Sequence, residues 1–269
     1  WAKTGRYAFG GLKPMSNVAL IGGFRGDETT AGAADPSAHP TVFSGDVNGD
    51  TYWTYAGVKD TPAIRTNVWT GLVYNGPDTN SWTHAYWLAN GNSSDDIDAF
   101  AVGVDLVTNC LFQGIVITCY KTSTFGFGDN CDVAFNRCRF LANNSSCVGT
   151  WTGMFATSGR LLLDGCEFSA TPATIYFTGE SQVVTNTVRN CLFTRNLDLS
   201  FSGIFNYRTA HPLFMTGTTF RHNYIASWNA YHDPVIGFNH SKAVAWIEDC
   251  TLENSLVMES TYAPIMIYS

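Results

Sequence analysis

The chain has 269 residues, 45% of them hydrophobic and 14% charged, with a net charge of −7. That length admits one elongated domain or two compact ones. The acidic balance supplies no basic patch to displace the counterions of a nucleic acid, and no apolar run is long enough for a membrane-spanning helix.

Residues 1–60 are expected to form N-terminal coils. They run Trp1-Ala-Lys-Thr-Gly-Arg-Tyr7, then Leu12-Lys-Pro-Met-Ser-Asn-Val-Ala-Leu-Ile-Gly-Gly-Phe-Arg-Gly-Asp-Glu-Thr29, then His39-Pro-Thr-Val-Phe-Ser-Gly-Asp46. These phrases resemble the opening coils of secreted bacterial β-helix proteins related to the polymorphic outer-membrane protein and pectin-lyase-like superfamily. There a Trp-bearing strand leads to an Ile-Gly-Gly-Phe-x-Gly-x-Glu-Thr stretch and then to a Thr-x-x-Ser-Gly-Asp strand. The resemblance is close over the first fifth of the chain and elsewhere extends only to the style of the repeat. It implies a secreted or cell-surface solenoid and carries no catalytic residue with it. The start on Trp1 rather than Met is expected of a chain released from a signal peptide. Within Asp46-Val-Asn-Gly-Asp50, the residues Asp46, Asn48 and Asp50 alternate as oxygen ligands of a candidate calcium loop. Gly57 stands where an EF-hand-like loop would place its closing acid, so a turn with solvated carboxylates is the alternative.

Residues 61–100 are expected to form one coil with a loop excursion. Turn residues over 75–98 are mixed with Trp82, Tyr86 and Trp87. Trp82 and Trp87 are candidate contacts for a ligand or partner, since aromatic rings on loops stack on sugars or pack on proteins. Asp95, Asp96 and Asp98 form the densest acid cluster, and paired carboxylates could serve a glycoside hydrolase. The Asn-Thr-Asp, Gly-His-Gly and Arg-x-Lys motifs of polygalacturonase-like β-helix enzymes do not occur. A solvated loop is the preferred reading.

Residues 101–269 carry the repeat. Asn-Cys-Leu-Phe at 109–112, Arg-Cys-Arg-Phe at 137–140, Gly-Cys-Glu-Phe at 165–168, Asn-Cys-Leu-Phe at 190–193, Gly-Thr-Thr-Phe at 217–220 and Asp-Cys-Thr-Leu at 249–252 follow one another at steps of 28, 28, 25, 27 and 32 residues. Aligned on Cys110, Cys138, Cys166, Cys191, Thr218 and Cys250, the phrases place Phe112, Phe140, Phe168, Phe193, Phe220 and Leu252 two positions later. Three positions earlier stand Val107, Phe135, Leu163, Val188, Met215 and Ile247. Cys and Phe two apart share a strand face. No unit this short buries that face alone, so successive units must stack at about 4.8 Å. Helical repeats need apolar residues three and four apart over longer runs, and leucine-rich repeats need a denser Leu and Asn consensus. The reading is an all-β, right-handed parallel β-helix with about 28 residues per coil and roughly nine to ten coils, in one domain spanning 1–269.

The ladder Cys residues read as small core fillers. Cys119 and Cys147 stand 28 apart, at the same place in successive coils, and are a candidate disulfide. The Asn residues after each Phe, such as Asn143, Asn196 and Asn223, read as structural turn residues. Residues 224–243 form a long loop in which Trp228 and Tyr231 are further candidate contacts.

A parallel solenoid has two flat faces of unpaired backbone, which template further strands unless blunted. No capping helix pattern stands at either end of this sequence. The function expected is an extracellular structural or adhesive solenoid, stacking end to end as a filament or surface-stalk subunit. A carbohydrate-binding module, or a polysaccharide lyase or hydrolase of the pectin-lyase-like fold, is the alternative, with polysaccharide as partner. The structural reading is preferred because the columns that register are apolar or Asn rather than titratable.

Overall fold

The computed structural model describes residues 1–47, 52–57, 64–67, 73–74, 85–90, 97, 100–104, 106–120, 125–127, 131–143, 155–157, 159–171, 175–177, 184–198, 203–226, 235–239, 242–258 and 265–268. Its described residues are almost wholly β, with one 3-10 turn at Ala31–Ala33. Three long sheets of parallel strands fit a parallel β-solenoid, as expected.

The first sheet has eight strands, ordered Gly5–Ala8, Thr41–Ser44, Ile115–Thr118, Arg139–Leu141, Glu167–Ser169, Leu192–Thr194, Thr219–Arg221 and Thr251–Glu253. The second has seven, from Ala19–Ile21 through Cys110–Gln113, Asp132–Asn136, Arg160–Asp164, Asn186–Arg189 and Pro212–Thr216 to Val244–Glu248. A third sheet, from Ala101–Val104 to Ile265–Tyr268, also has seven. The repeat phrase marks the corner where the chain leaves the second sheet for the first. The third sheet carries no repeated phrase in the sequence.

The corner is made by one left-handed residue per coil. Gly114, Arg137, Gly165, Asn190, Gly217 and Asp249 all have φ between 51° and 62°. This conformation turns the chain and still leaves the residue's N–H free for the next coil. Gly114, Arg137, Gly165 and Asn190 donate to the carbonyls of Asn136, Asp164, Arg189 and Thr216 at 2.8–3.0 Å, so the ladder continues round the bend. Gly, Asn and Asp adopt this region most readily, which explains why the position reads as small or polar. Arg137 is the departure, and it stays exposed.

Inside the corner the aromatic column forms. Phe140, Phe168, Phe193 and Phe220 are successive register partners. Their rings stack nearly parallel, at 4.8, 4.7 and 4.5 Å between centroids. All four are buried. Leu252 follows Phe220 and Ile117 precedes Phe140.

The first phrase does not belong to that column. Phe112 pairs with Phe135 in the second sheet, 4.9 Å away and nearly parallel, and Cys110 pairs with Val133. The coil step at this point is from Ile117 to Phe140, 23 residues rather than 28. The ladder assignment of Cys110 and Phe112 is therefore corrected, and Val107 likewise is not the partner of Phe135. The cause is that strand Cys110–Gln113 starts from a left-handed Asn109 (φ 52°), as Leu192–Thr194 starts after Asn190 (φ 53°). The same local geometry is used in two different sheets.

A buried asparagine column closes the other end of the first sheet. Nδ2 of Asn143, Asn196 and Asn223 donates to the carbonyls of Ile117, Phe168 and Phe193 at 3.0–3.1 Å. The Asn196 Oδ1 accepts from the Thr171 N–H at 3.0 Å, and the Asn223 Oδ1 accepts from the Asn196 N–H at 3.2 Å. Each amide thus ties its own coil to the one before it, which satisfies backbone groups buried at a bend.

The region 61–100 departs from a single coil. Tyr52–Gly57, Ile64–Asn67, Val73–Tyr74 and Ala85–Asn90 form a four-stranded antiparallel sheet between Thr41–Ser44 and Ala101–Val104. Its first strand lies before residue 61, so the boundary expected at 60 cuts through it. The long loop expected at 224–243 also contains strands. Tyr224–Ala226 lies in a three-stranded sheet with Leu197–Asp198 and Leu256–Met258, and Ile236–Asn239 lies in the third sheet.

Candidate functional site

The interior columns are taken up by packing. Thiols of Cys138 and Cys166 reach the carbonyls of Phe112 and Phe135 at 3.4 Å. Those of Cys191 and Cys250 reach the carbonyls of Arg189 and Glu248 at 3.3 Å. Burial pushes the Cys110 thiol up to about 11 and raises Cys138 and Cys191 as well. A thiol held above neutrality stays protonated and is a poor nucleophile or metal ligand.

Asp46 of the candidate calcium loop is fully buried, and its Oδ2 lies 3.4 Å from Arg6 Nη2. The Arg6 guanidinium also donates to the Asp46 carbonyl, and the Asp46 N–H donates to Ser44 Oγ at 3.1 Å. A cation would have to displace Arg6 to use this carboxylate. Asn48 and Asp50 lie outside the described residues. So do Cys147, the proposed partner of buried Cys119, and the aromatic residues Trp82, Trp228 and Tyr231. Trp87 stands on Ala85–Asn90, opposite Tyr55 in the antiparallel sheet.

The exposed apolar side chains lie elsewhere. Of the large hydrophobic residues that are exposed among the described residues, Trp1, Tyr7, Phe9, Met15 and Val18 belong to the N-terminal rung and Val244, Trp246 and Ile247 to the last rung of the second sheet, while Val47, Leu106 and Phe214 lie away from both. Ile247 shows the cause. It continues the inward column of Val188 and Met215, both at 0% exposure, yet is 43% exposed because Val244–Glu248 is the edge strand. On the outward face, Trp246 stacks on Phe214 at 4.4 Å with the rings 6° apart, and Trp246 is 45% exposed. Tyr7 continues the inner column over Phe43 at the opposite edge of the first sheet.

The two rungs differ in charge. Exposed Lys3 and Lys13 stand at the N-terminal rung, where Arg6 is paired with Asp46, while exposed Glu248, Asp249 and Glu253 stand at the other, with Lys242 at its start. The nearby acids of the N-terminal loop are locally engaged. Asp27 pairs with Arg25 at 2.6 Å, and Glu28 accepts from the N–H groups of Arg25 and Gly26 at 2.6 and 2.7 Å. Those contacts hold both carboxyls below the usual range.

Residue-by-residue reading of the sequence missed Tyr7, Val18 and Trp246. Trp246 was findable, because it aligns with Phe214 one position before the inward Ile247 and Met215. An aromatic recurring in an outward column has no core to fill.

No protein-family model matches this chain, and neither the curated proteins nor the solved structures contain a match to it.

Proposed function

We propose that this chain is a secreted or cell-surface structural solenoid, a right-handed parallel β-helix whose copies stack end to end into a filament or adhesive stalk. The observation that carries the reading is the concentration of exposed apolar side chains on the two end rungs, with Lys3 and Lys13 at one and Glu248, Asp249 and Glu253 at the other. Edge strands invite further strands. A contact that joins one end to the other is heterologous and elongates without closing. The resemblance of residues 1–46 to secreted bacterial β-helix proteins supports the location and the hand. Tyr7 at one edge of the first sheet and Leu252 at the other would continue one apolar column across the junction.

Sedimentation velocity from 1 to about 100 µM, with electron microscopy of the same samples, tests the proposal in a concentration range typical of moderate protein affinities. Elongated species that grow with concentration are expected, and Trp246→Lys, on an exposed outward position, should return the chain to monomer. A wild-type chain that stays monomeric throughout overturns the reading.

A further inference from the structure

The loop joining Ala19–Ile21 to Thr41–Ser44 is seated on the corner of the solenoid by close backbone approach. A Cβ on Gly22 would lie 2.8 Å from the Gly114 carbonyl oxygen, and one on Gly114 would lie 2.4 Å from Pro36 Cγ. Pro36 therefore rests directly on the bend. The loop is also internally tied. The Asp35 N–H donates to the Gly23 carbonyl at 2.8 Å, and the Asp35 Oδ1 accepts from the N–H groups of Ser37 and Ala38 at 3.0 and 3.1 Å. The Ser37 hydroxyl donates to the same oxygen.

Between this overhang and the next rung lies a cleft of about 600 Å³. That is within the range of small-molecule sites, roughly 300–1,000 Å³. Asp35, Pro36, Ser37 and Pro40 line it from the loop, and Val116, Arg137 and Arg139 line it from the solenoid. The carboxylates nearby are occupied. Asp35 is turned into its own loop, and Glu167 takes Nε of Arg139 at 2.8 Å. Arg137 forms no ion pair among the described residues.

Arg137 is also the residue that breaks the corner rule. Gly114 stands one rung before it and Gly165 one rung after, all three with φ near 50–60°. A long side chain held in the left-handed region costs of order 1–3 kcal/mol, and Arg195 and His222 share that conformation at another bend. Asp35 and Glu167 offset the two arginines in number, but both carboxylates are engaged, which leaves the Arg137 guanidinium as the group able to meet an anion.

We propose that this cleft binds a small organic carboxylate of sugar-acid size. The planar guanidinium of Arg137 presents paired donors that match the two oxygens of a carboxylate. Arg139, whose Nε is taken by Glu167, adds its terminal N–H groups as donors, the Ser37 oxygen is left to accept from a hydroxyl, and the two prolines offer an apolar wall to the C–H face of a ring. The proposal is independent of end-to-end stacking, since none of these residues stands on an end rung.

Isothermal titration of the whole chain with sodium glucuronate, glucose and inorganic phosphate, at low ionic strength, tests it. Glucuronate should bind and glucose should not. Arg137→Gly, which suits the left-handed backbone and keeps the fold, should weaken glucuronate by roughly 10- to 100-fold, the loss of a charged hydrogen-bonded pair. Arg221→Gln, outside the cleft, should leave it unchanged. Equal binding of glucose, binding of phosphate but not glucuronate, unaltered binding by Arg137→Gly, or no heat with glucuronate to 10 mM would each overturn the assignment, the last limit lying beyond roughly millimolar affinity.

Discussion

Phe168 shows what a single residue contributes to this chain. It is buried, and its ring lies between Phe140 at 4.8 Å and Phe193 at 4.7 Å, so both faces are covered by other rings. Phe→Ala at such a site removes the transfer energy of the side chain and leaves a cavity that stacked backbones cannot close, about 3–5 kcal/mol. Phe168→Ala should therefore cost about that much in chemical denaturation. Phe220→Leu should cost far less, because the column already uses Leu at the next position, Leu252. Equal losses for the two would mean that ring stacking, rather than filled volume, holds the column. The buried amides work by a different route. Asn196 satisfies two backbone groups of the preceding coil, the Thr171 N–H and the Phe168 carbonyl, so a replacement of the same size without the amide would strand a buried N–H and a buried carbonyl.

At the scale of the element, the unit is strand, left-handed bend, strand, and most of it was legible. The apolar pair two apart and the small or polar residue between the strands gave the parallel stack, because both follow from side-chain alternation and from the cost of positive φ. What was not legible was which sheet each phrase enters. Asn109-Cys110-Leu111-Phe112 and Asn190-Cys191-Leu192-Phe193 are the same four residues with the same bend at their Asn, yet Phe112 meets Phe135 and Phe193 meets Phe168. Pairing is decided by tertiary register, and identical local sequence does not encode it. The third sheet stayed hidden because its strands are short and carry no shared phrase. The cleft stayed hidden because Pro36 and Arg137 are far apart in sequence and meet only through the seat at Gly114. That seat gives an element-scale prediction. Gly114→Ala places a methyl group where Pro36 stands and puts a side chain at φ 62°, which should destabilise the chain by about 1–3 kcal/mol. Pro36→Ala removes the clashing Cγ, so the double variant should recover the steric part and keep the backbone part. A double-mutant cycle by denaturation measures that coupling, and additive losses would mean that the loop is not seated on the bend.

At the scale of the whole molecule, the consequence of a parallel stack is direction. Every strand of the first sheet runs parallel to its neighbour, so the edge at Gly5–Ala8 and the edge at Thr251–Glu253 are different surfaces. Two copies joined head to tail still leave one edge of each kind exposed. Growth by this contact never saturates, and it can be stopped from one side only. A copy disabled at its N-terminal rung alone, such as Val18→Lys, can no longer join its own N-terminal rung to the acidic rung of another copy. It can still receive a neighbour on its own acidic rung, so it can occupy only one terminus of a growing rod. A copy disabled at the other rung, such as Trp246→Lys, can occupy only the opposite terminus. Either variant alone should be monomeric, and the two mixed should form dimers and go no further, because the single pair of intact rungs is then used up. Sedimentation of the equimolar mixture should give a dimer that stays a dimer as concentration rises. Dimers from either variant alone would mean a symmetric contact, the same patch on both partners, and would remove the directional rod. Raising the salt should weaken the dimer without abolishing it, since the opposed charges are screened within about 10 Å at 0.1 M while the burial of Trp246 and Val18 is not.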